Sequence, residues 1–179
     1  DRLRRPTQID TPDGYTVYYG YDGVGNRKSL RVQPPGPVTD HEVTYLYDDL
    51  NRLTSVTDDG VTTTYTYNTV HLMTDVSLPN GVTVEYDYDP VYRVDSITQK
   101  LSGTTFESFD YTYDAVGNRL SVDEHDGAHY QWIYDDAYRL TDEIHTPAGG
   151  SATPTHFTYD YTGNRLTQND NGSVTNYLY

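Results

Sequence analysis

One ten-residue stretch constrains this chain more than any other feature, because it keeps coming back. YDAVGNRLSV runs from Tyr113 to Val122, YDGVGNRKSL starts at Tyr21 and YDYTGNRLTQ at Tyr159. Shorter forms are YDDLNRLTSV from Tyr47, YDPVYRVDSI from Tyr88 and YDDAYRLTDE from Tyr134. A degenerate copy, YNTVHLMTDV, starts at Tyr67. Seven copies in 179 residues define a repeat architecture, in which each unit buries its apolar face mainly against its neighbours.

The unit reads as strand, turn, strand. An aromatic residue stands two positions before each leading Tyr, as in Tyr45/Tyr47, Tyr65/Tyr67, Tyr111/Tyr113, Trp132/Tyr134 and Phe157/Tyr159. A spacing of two puts both rings on one face of a strand. Runs such as Val61-Thr62-Thr63-Thr64 extend that strand with β-branched residues. Between units, Asp59-Gly60, Asn80-Gly81, Asp126-Gly127 and Asn171-Gly172 read as two-residue hairpin turns. Pro34 to Pro37, Ser102-Gly103 and Pro147 to Pro154 read as longer loops, which puts the variation in period into the loops. The expected fold is all-β: antiparallel β-hairpin repeats forming one long sheet, curved by strand twist, with around fifteen strands across roughly 70 Å.

Within the motif the polar residues have turn and packing roles. Asp22, Asp48, Asp89, Asp114, Asp135 and Asp160 follow the strand-ending Tyr, and Asn68 replaces them in the degenerate copy. Asp and Asn both accept hydrogen bonds from backbone N–H groups two residues on, which closes a turn. A general base would not tolerate that exchange. Gly25, Gly117 and Gly163 occupy the place where the turn needs a positive φ, followed by Asn26, Asn118 and Asn164. Arg27, Arg119 and Arg165 come six residues after Tyr, and Arg52, Arg93 and Arg139 five after. That offset predicts two turn types, or a bulge in the longer form. A guanidinium stacks on Tyr and forks onto a carboxylate, so an Arg–Tyr–Asp ladder is expected along the repeats. Leu72 breaks the Arg row and counts against an anion-binding role.

Composition narrows the function classes. Twenty Tyr residues against 35% hydrophobic content mean that rings, not aliphatics, supply most of the packing. The net charge of -15, with ten Arg spread along the repeats, points away from nucleic acid and toward any cationic protein segment. There is no Cys, hence no disulfide, thiolate metal site or thiol nucleophile. No apolar run is long enough to span a membrane. His125 and His129 flank a hairpin turn and are the one metal-ligand pairing the spacing suggests. No cofactor motif or hydrolase motif is present. Off-register Tyr15, Tyr18, Tyr92, Tyr130, Tyr138 and Tyr161 are the candidates for stacking a carbohydrate. Asp1-Arg2-Leu3 reads as the "RL" half of a repeat, and Tyr177-Leu178-Tyr179 as the first half of another. The expectation is one array over residues 1–179, cut at both ends, whose exposed edge strands pair with other chains.

Laid out this way, YDxxGNRL and its shorter form YDxxxRL resemble the YD-repeat family, also called Rhs repeats. The resemblance covers essentially the whole chain. It implies a β-hairpin strip spiralling into a hollow shell, which in bacterial Rhs proteins and insecticidal toxin complex C components encloses a toxin domain. In teneurins and wall-associated proteins it implies a cell-surface role. For this chain it implies a secreted or cell-surface, bacterial type of protein whose partners are neighbouring repeats and an enclosed toxin or cargo domain. No DPxGL-type segment and no toxin tip follow the repeats, so the resemblance carries over no protease or toxin activity.

Overall fold

The computed structural model describes all 179 residues, and they form strands and turns without a helix. The chain divides into two compact units, Asp1–Thr83 and Val84–Tyr179. In the first unit lie β1 (Gln8–Asp10), β2 (Thr16–Tyr21), β3 (Arg27–Gln33), β4 (His41–Tyr47), β5 (Leu53–Asp58), β6 (Val61–Tyr67) and β7 (Met73–Ser77). The division falls within β8 (Val82–Tyr88). In the second unit lie β9 (Val94–Leu101), β10 (Thr104–Tyr113), β11 (Arg119–Glu124), β12 (His129–Tyr134), β13 (Leu140–Thr146), β14 (Thr153–Tyr159), β15 (Arg165–Asp170) and β16 (Ser173–Asn176). Sixteen strands in chain order make an antiparallel hairpin array, one strand more than the periodicity suggested.

Register follows from the alternation of side chains. In the first unit Tyr45 lies opposite Val56 and Tyr47 opposite Leu53. In the second, Tyr111 faces Val122 and Val122 faces Tyr130. Rings and aliphatics therefore share one face. The other face takes Thr and Ser pairs, such as Thr57 with Thr62 and Thr112 with Ser121. Burial is shallow. Val122, Ala128 and Phe157 are the buried hydrophobic residues, Ser55 is the buried polar one, and no large side chain is fully enclosed. The Tyr rings are half-buried along a single layer, which suits an apolar body with a wet hydroxyl.

The hairpin turns need two corrections. Asp59-Gly60 and Asn171-Gly172 are two-residue turns with both φ values positive, at 45° and 86° and at 46° and 97°. Asn80-Gly81 and Asp126-Gly127 are instead parts of three-residue loops. Leu78 N–H donates to the Val82 carbonyl, and Glu124 N–H to the Ala128 carbonyl, with only the Gly at positive φ. Ser102-Gly103 is a tight two-residue turn between Leu101 and Thr104, not a long loop. The extra residues of that repeat lengthen β9 to eight residues and β10 to ten, and a bulge absorbs Phe106. Variation in period therefore sits partly in the strands.

Candidate functional site: the YD turn and the aromatic face

Each YD turn is the same backbone loop. Writing the Asp or Asn as position zero, its N–H donates to the carbonyl of position four: Asp22 to Asn26, Asp48 to Arg52, Asn68 to Leu72, Asp89 to Arg93, Asp114 to Asn118, Asp135 to Arg139 and Asp160 to Asn164. The side-chain Oδ1 accepts from the N–H groups of positions two and four, as with Val116 (3.0 Å) and Asn118 (2.8 Å) on Asp114. Asn68 accepts the same pair from Val70 and Leu72, so the amide substitutes for the carboxylate. Position three always has a positive φ. Gly25, Gly117 and Gly163 hold it at 111°, 100° and 94°, as expected. In the shorter form Asn51, His71, Tyr92 and Tyr138 hold it at 60°, 71°, 70° and 59°.

The predicted second turn type is absent, and the bulge is not particular to the longer form. A register shift occurs beside the leading Tyr in both forms, between Leu46 and Tyr47 and equally between Thr112 and Tyr113. From Asp to the next in-register polar residue the count is the same: Asp48 to Ser55 and Asp114 to Ser121. The two forms differ only in where Arg sits along an unchanged backbone. At position four, Arg52, Arg93 and Arg139 fold back on their own Asp, with Nε–Oδ2 distances of 2.7, 2.6 and 2.8 Å. In the long form the Asn amide takes that oxygen, at 3.0, 2.7 and 2.9 Å in Asn26, Asn118 and Asn164.

The Arg residues also tie each turn to the next. Nη1 of Arg93 donates to the Asp114 carbonyl (2.8 Å) and Nη1 of Arg139 to the Asp160 carbonyl (3.0 Å). The same guanidinium groups lie over Tyr113 (4.6 Å) and Tyr159 (5.0 Å). Long-form Arg, one position later, lies on the ring face instead. Arg27 covers Tyr45 at 4.8 Å, Arg119 covers Trp132 at 4.5 Å and Arg165 covers Phe157 at 4.5 Å. The leading Tyr completes the link by donating its hydroxyl to a carbonyl of the preceding strand: Tyr47 to Arg27, Tyr67 to Leu53, Tyr113 to Val94, Tyr134 to Arg119 and Tyr159 to Leu140. The expected ladder exists, in two forms.

One copy of the turn was missed in the sequence. Asp1 Oδ1 accepts from the N–H groups of Leu3 and Arg5, Arg4 has φ 60°, and Arg5 pairs with Asp1 at 2.5 Å and covers Tyr21 at 4.0 Å. Asp1–Arg5 is thus the turn itself, not the strand half of a repeat. The signal was Asp followed by Arg four residues on.

The carboxyls of Asp22, Asp48, Asp89, Asp114, Asp135 and Asp160 are more acidic than usual. Backbone N–H of Arg52 lowers Asp48, and the Arg139 guanidinium lowers Asp135. For Asp22, Asp89 and Asp114 desolvation pushes upward but the hydrogen bonds prevail. Asp160 is lowered to about 2, foremost by the Thr162 hydroxyl. Burial raises the Tyr47, Tyr113 and Tyr134 phenols. Such carboxylates are poor general bases, since they hold no proton affinity near neutral pH.

The remaining candidates do not converge. Tyr130 lies in a ring column. It stacks on His145 at 4.3 Å and stands 6.1 Å from Trp132, over which Arg119 lies and whose Nε1–H donates to Glu143 at 2.9 Å. One face of the Tyr130 ring is therefore taken by His145. Arg31 covers Tyr18 at 4.3 Å. Tyr15 is exposed near the first hairpin, and Tyr92, Tyr138 and Tyr161 project from turns. His129 pairs with Asp123 at 2.7 Å rather than with His125. The one His-acid cluster with ligand-like spacing is His41 with Asp58 and Asp59, within 4.8 Å. There, Nε2 meets Asp58 at 3.0 Å and Nδ1 meets Asp59 at 2.6 Å. A single ion cannot take both nitrogens of one ring, and here each nitrogen already faces a carboxylate, so the ring bridges Asp58 and Asp59.

Strand, turn and inter-turn Arg define a hairpin-repeat protein without a convergent catalytic constellation. Residues 47–83 and 113–151 match the RHS Repeat family, and the chain carries RHS repeats of the YD type. Among solved structures it is similar to the crystal structure of TcdB2-TccC3-TEV, with a TM-score of 0.67 and 14% identity over 100% of this chain and 12% of that one. The crystal structure of TcdB2-TccC3 gives 0.63 and 14%, over 98% and 12%. The Photorhabdus luminescens Tc holotoxin pore gives 0.60 and 15%, over 98% and 11%. At these identities the likeness is one of fold, and this chain spans about an eighth of the chains it matches. No curated protein sequence matches it.

Proposed function

We propose that this chain is a non-catalytic wall section, residues 1–179, of a larger RHS-type shell that encloses or presents a toxin or cargo domain in a secreted or cell-surface setting. One observation carries the reading: the turn Asp or Asn, the Arg and the leading Tyr of the motif are engaged in closing a turn or in holding it to a neighbouring strand, ring or turn. The fold likeness to chains of the Tc toxin structures supports it. Electron microscopy of these repeats joined to further repeats, up to the length of the matched chains, is expected to show a hollow wall. A solid or straight rod would overturn the proposal.

A cell-surface carbohydrate-binding module is the second reading. The observation in its favour is the exposure of Tyr92, Tyr138 and Tyr161, which reaches 99% at Tyr161. A glycan array probed with the chain and with Tyr161→Ala tests it. Absence of Tyr161-dependent binding removes it.

A further inference from the structure

The YD turns expose apolar tips that their own geometry does not require. Position two of the turn is Leu3, Val24, Leu50 and Val70 in the first unit, and Val91 and Val116 in the second. These are 69%, 74%, 58%, 44%, 65% and 62% exposed. The loop uses only their backbone N–H, which donates to the turn Asp or Asn. Turn tips ordinarily favour Gly, Asn, Asp, Ser or Pro, and the hairpin turns at the opposite strand ends obey that rule with Asp59-Gly60, Ser102-Gly103 and Asn171-Gly172. Where position two is Ala137 or Thr162, an exposed Tyr stands beside it, Tyr138 at 60% and Tyr161 at 99%. Every YD turn thus presents a large apolar or aromatic side chain to solvent.

From this row we infer a lateral docking edge whose occupant is a second array of the same repeats, represented by a second copy of this chain. Pitch selects the partner. Within each unit one tip recurs every two strands, roughly every 10 Å. A few such side chains offer only some hundreds of Å², below the ~1,000 Å² a lone specific interface needs. A partner of equal pitch engages the tips of a unit together and gains by multivalency. Local charge is relieved at the shorter turns, where Arg5, Arg52, Arg93 and Arg139 neutralise the Asp of their own turns, while Asp22, Asp114 and Asp160 bond an Asn and keep their charge. At long range two chains of net charge -15 repel, so association through the tips strengthens as salt rises. The inference goes beyond the wall reading and does not require an enclosed cargo.

Sedimentation velocity of the full chain over a wide concentration range tests it. Three proteins are compared: wild type, a tip variant carrying Val24→Ser, Leu50→Ser, Val91→Ser and Val116→Ser, and an edge-strand variant carrying Ile9→Pro and Val174→Pro. Wild type is expected to associate, more so in salt. The tip variant, with unchanged circular dichroism and melting, is expected to associate roughly tenfold more weakly, while the edge-strand variant keeps wild-type association. A wild type that stays monomeric, a tip variant that associates like wild type, or association lost only in the edge-strand variant overturns the inference. So does tip-dependent flotation with phosphatidylcholine vesicles in the absence of self-association.

Discussion

The turns at Asp89 and Asp114 belong to adjacent repeats of one unit and differ in where the Arg stands. Both close the same loop, yet Arg93 sits at position four and Arg119 at position five. Arg93 binds its own Asp, the next turn's carbonyl and the Tyr113 face. Arg119 gives up the Asp to Asn118 and joins the ring column over Trp132. The comparison separates what the backbone needs from what the side chains add. The loop needs an acceptor at position zero and a positive φ at position three. The Arg is placed to bond the next turn or to cover the next ring.

Acid offers the broadest test, since it removes the carboxylate charge that strengthens the turn hydrogen bonds in both forms together. The folded pKa values lie below the ordinary 3.8, with Asp160 near 2. The unfolded chain therefore binds protons first, and the stabilisation is complete above pH 4 and is lost as pH falls toward 2. Urea midpoints are expected to be level between pH 5 and 7 and to drop steeply below 4. A carboxyl-detected NMR titration should place Asp160 near 2.

Next in size is the leading Tyr. Tyr113→Ala removes a half-buried ring and a hydroxyl bond to the Val94 carbonyl, and should cost about 2–3 kcal/mol by chemical denaturation. Tyr113→Phe keeps the ring and should cost about 1 kcal/mol. Position three then separates the forms by sign. Gly117 has φ 100°, so Gly117→Ala should destabilise by about 1–2 kcal/mol, whereas Tyr138→Gly relieves a left-handed residue and should stabilise by a fraction of that. Smaller again is the Arg contrast. Arg93→Lys loses fork and stack and should cost about 1 kcal/mol, while Arg119→Lys loses the stack alone and about half as much.

Much of this was legible in the sequence because turn chemistry is local. Tyr at spacing two, Asp after Tyr, and Gly three residues later fix strand face, acceptor and positive φ within ten residues. What escaped detection required the backbone. The two motif forms look like a one-residue insertion, but Thr54 after the Leu in one form balances Gly117 before the Asn in the other and keeps the count to Ser55 and Ser121 equal. Tyr92 and Tyr138 gave no hint of a left-handed φ, because aromatic residues seldom adopt it, whereas Asn51 and His71 are of types enriched there. The Asp1–Arg5 turn lacked the Tyr that flags its relatives. Ser102-Gly103 was read by the length of its repeat, whereas longer strands supply that length. The carbohydrate candidates were picked by exclusion from the aromatic rows, and the covered faces of Tyr18 and Tyr130 depend on cross-strand partners that spacing does not show.

A graft tests the central claim, that both forms are alternative side-chain fillings of one loop. Gly117→Asn, Asn118→Arg, Arg119→Leu and Leu120→Thr together rewrite YDAVGNRLSV as the shorter form without changing chain length. The predicted result is a cooperative unfolding midpoint within about 1 kcal/mol of wild type, with NMR contacts still placing Val122 opposite Tyr111 and Tyr130. Loss of folding, or a shift of Val122 to other partners, would contradict it.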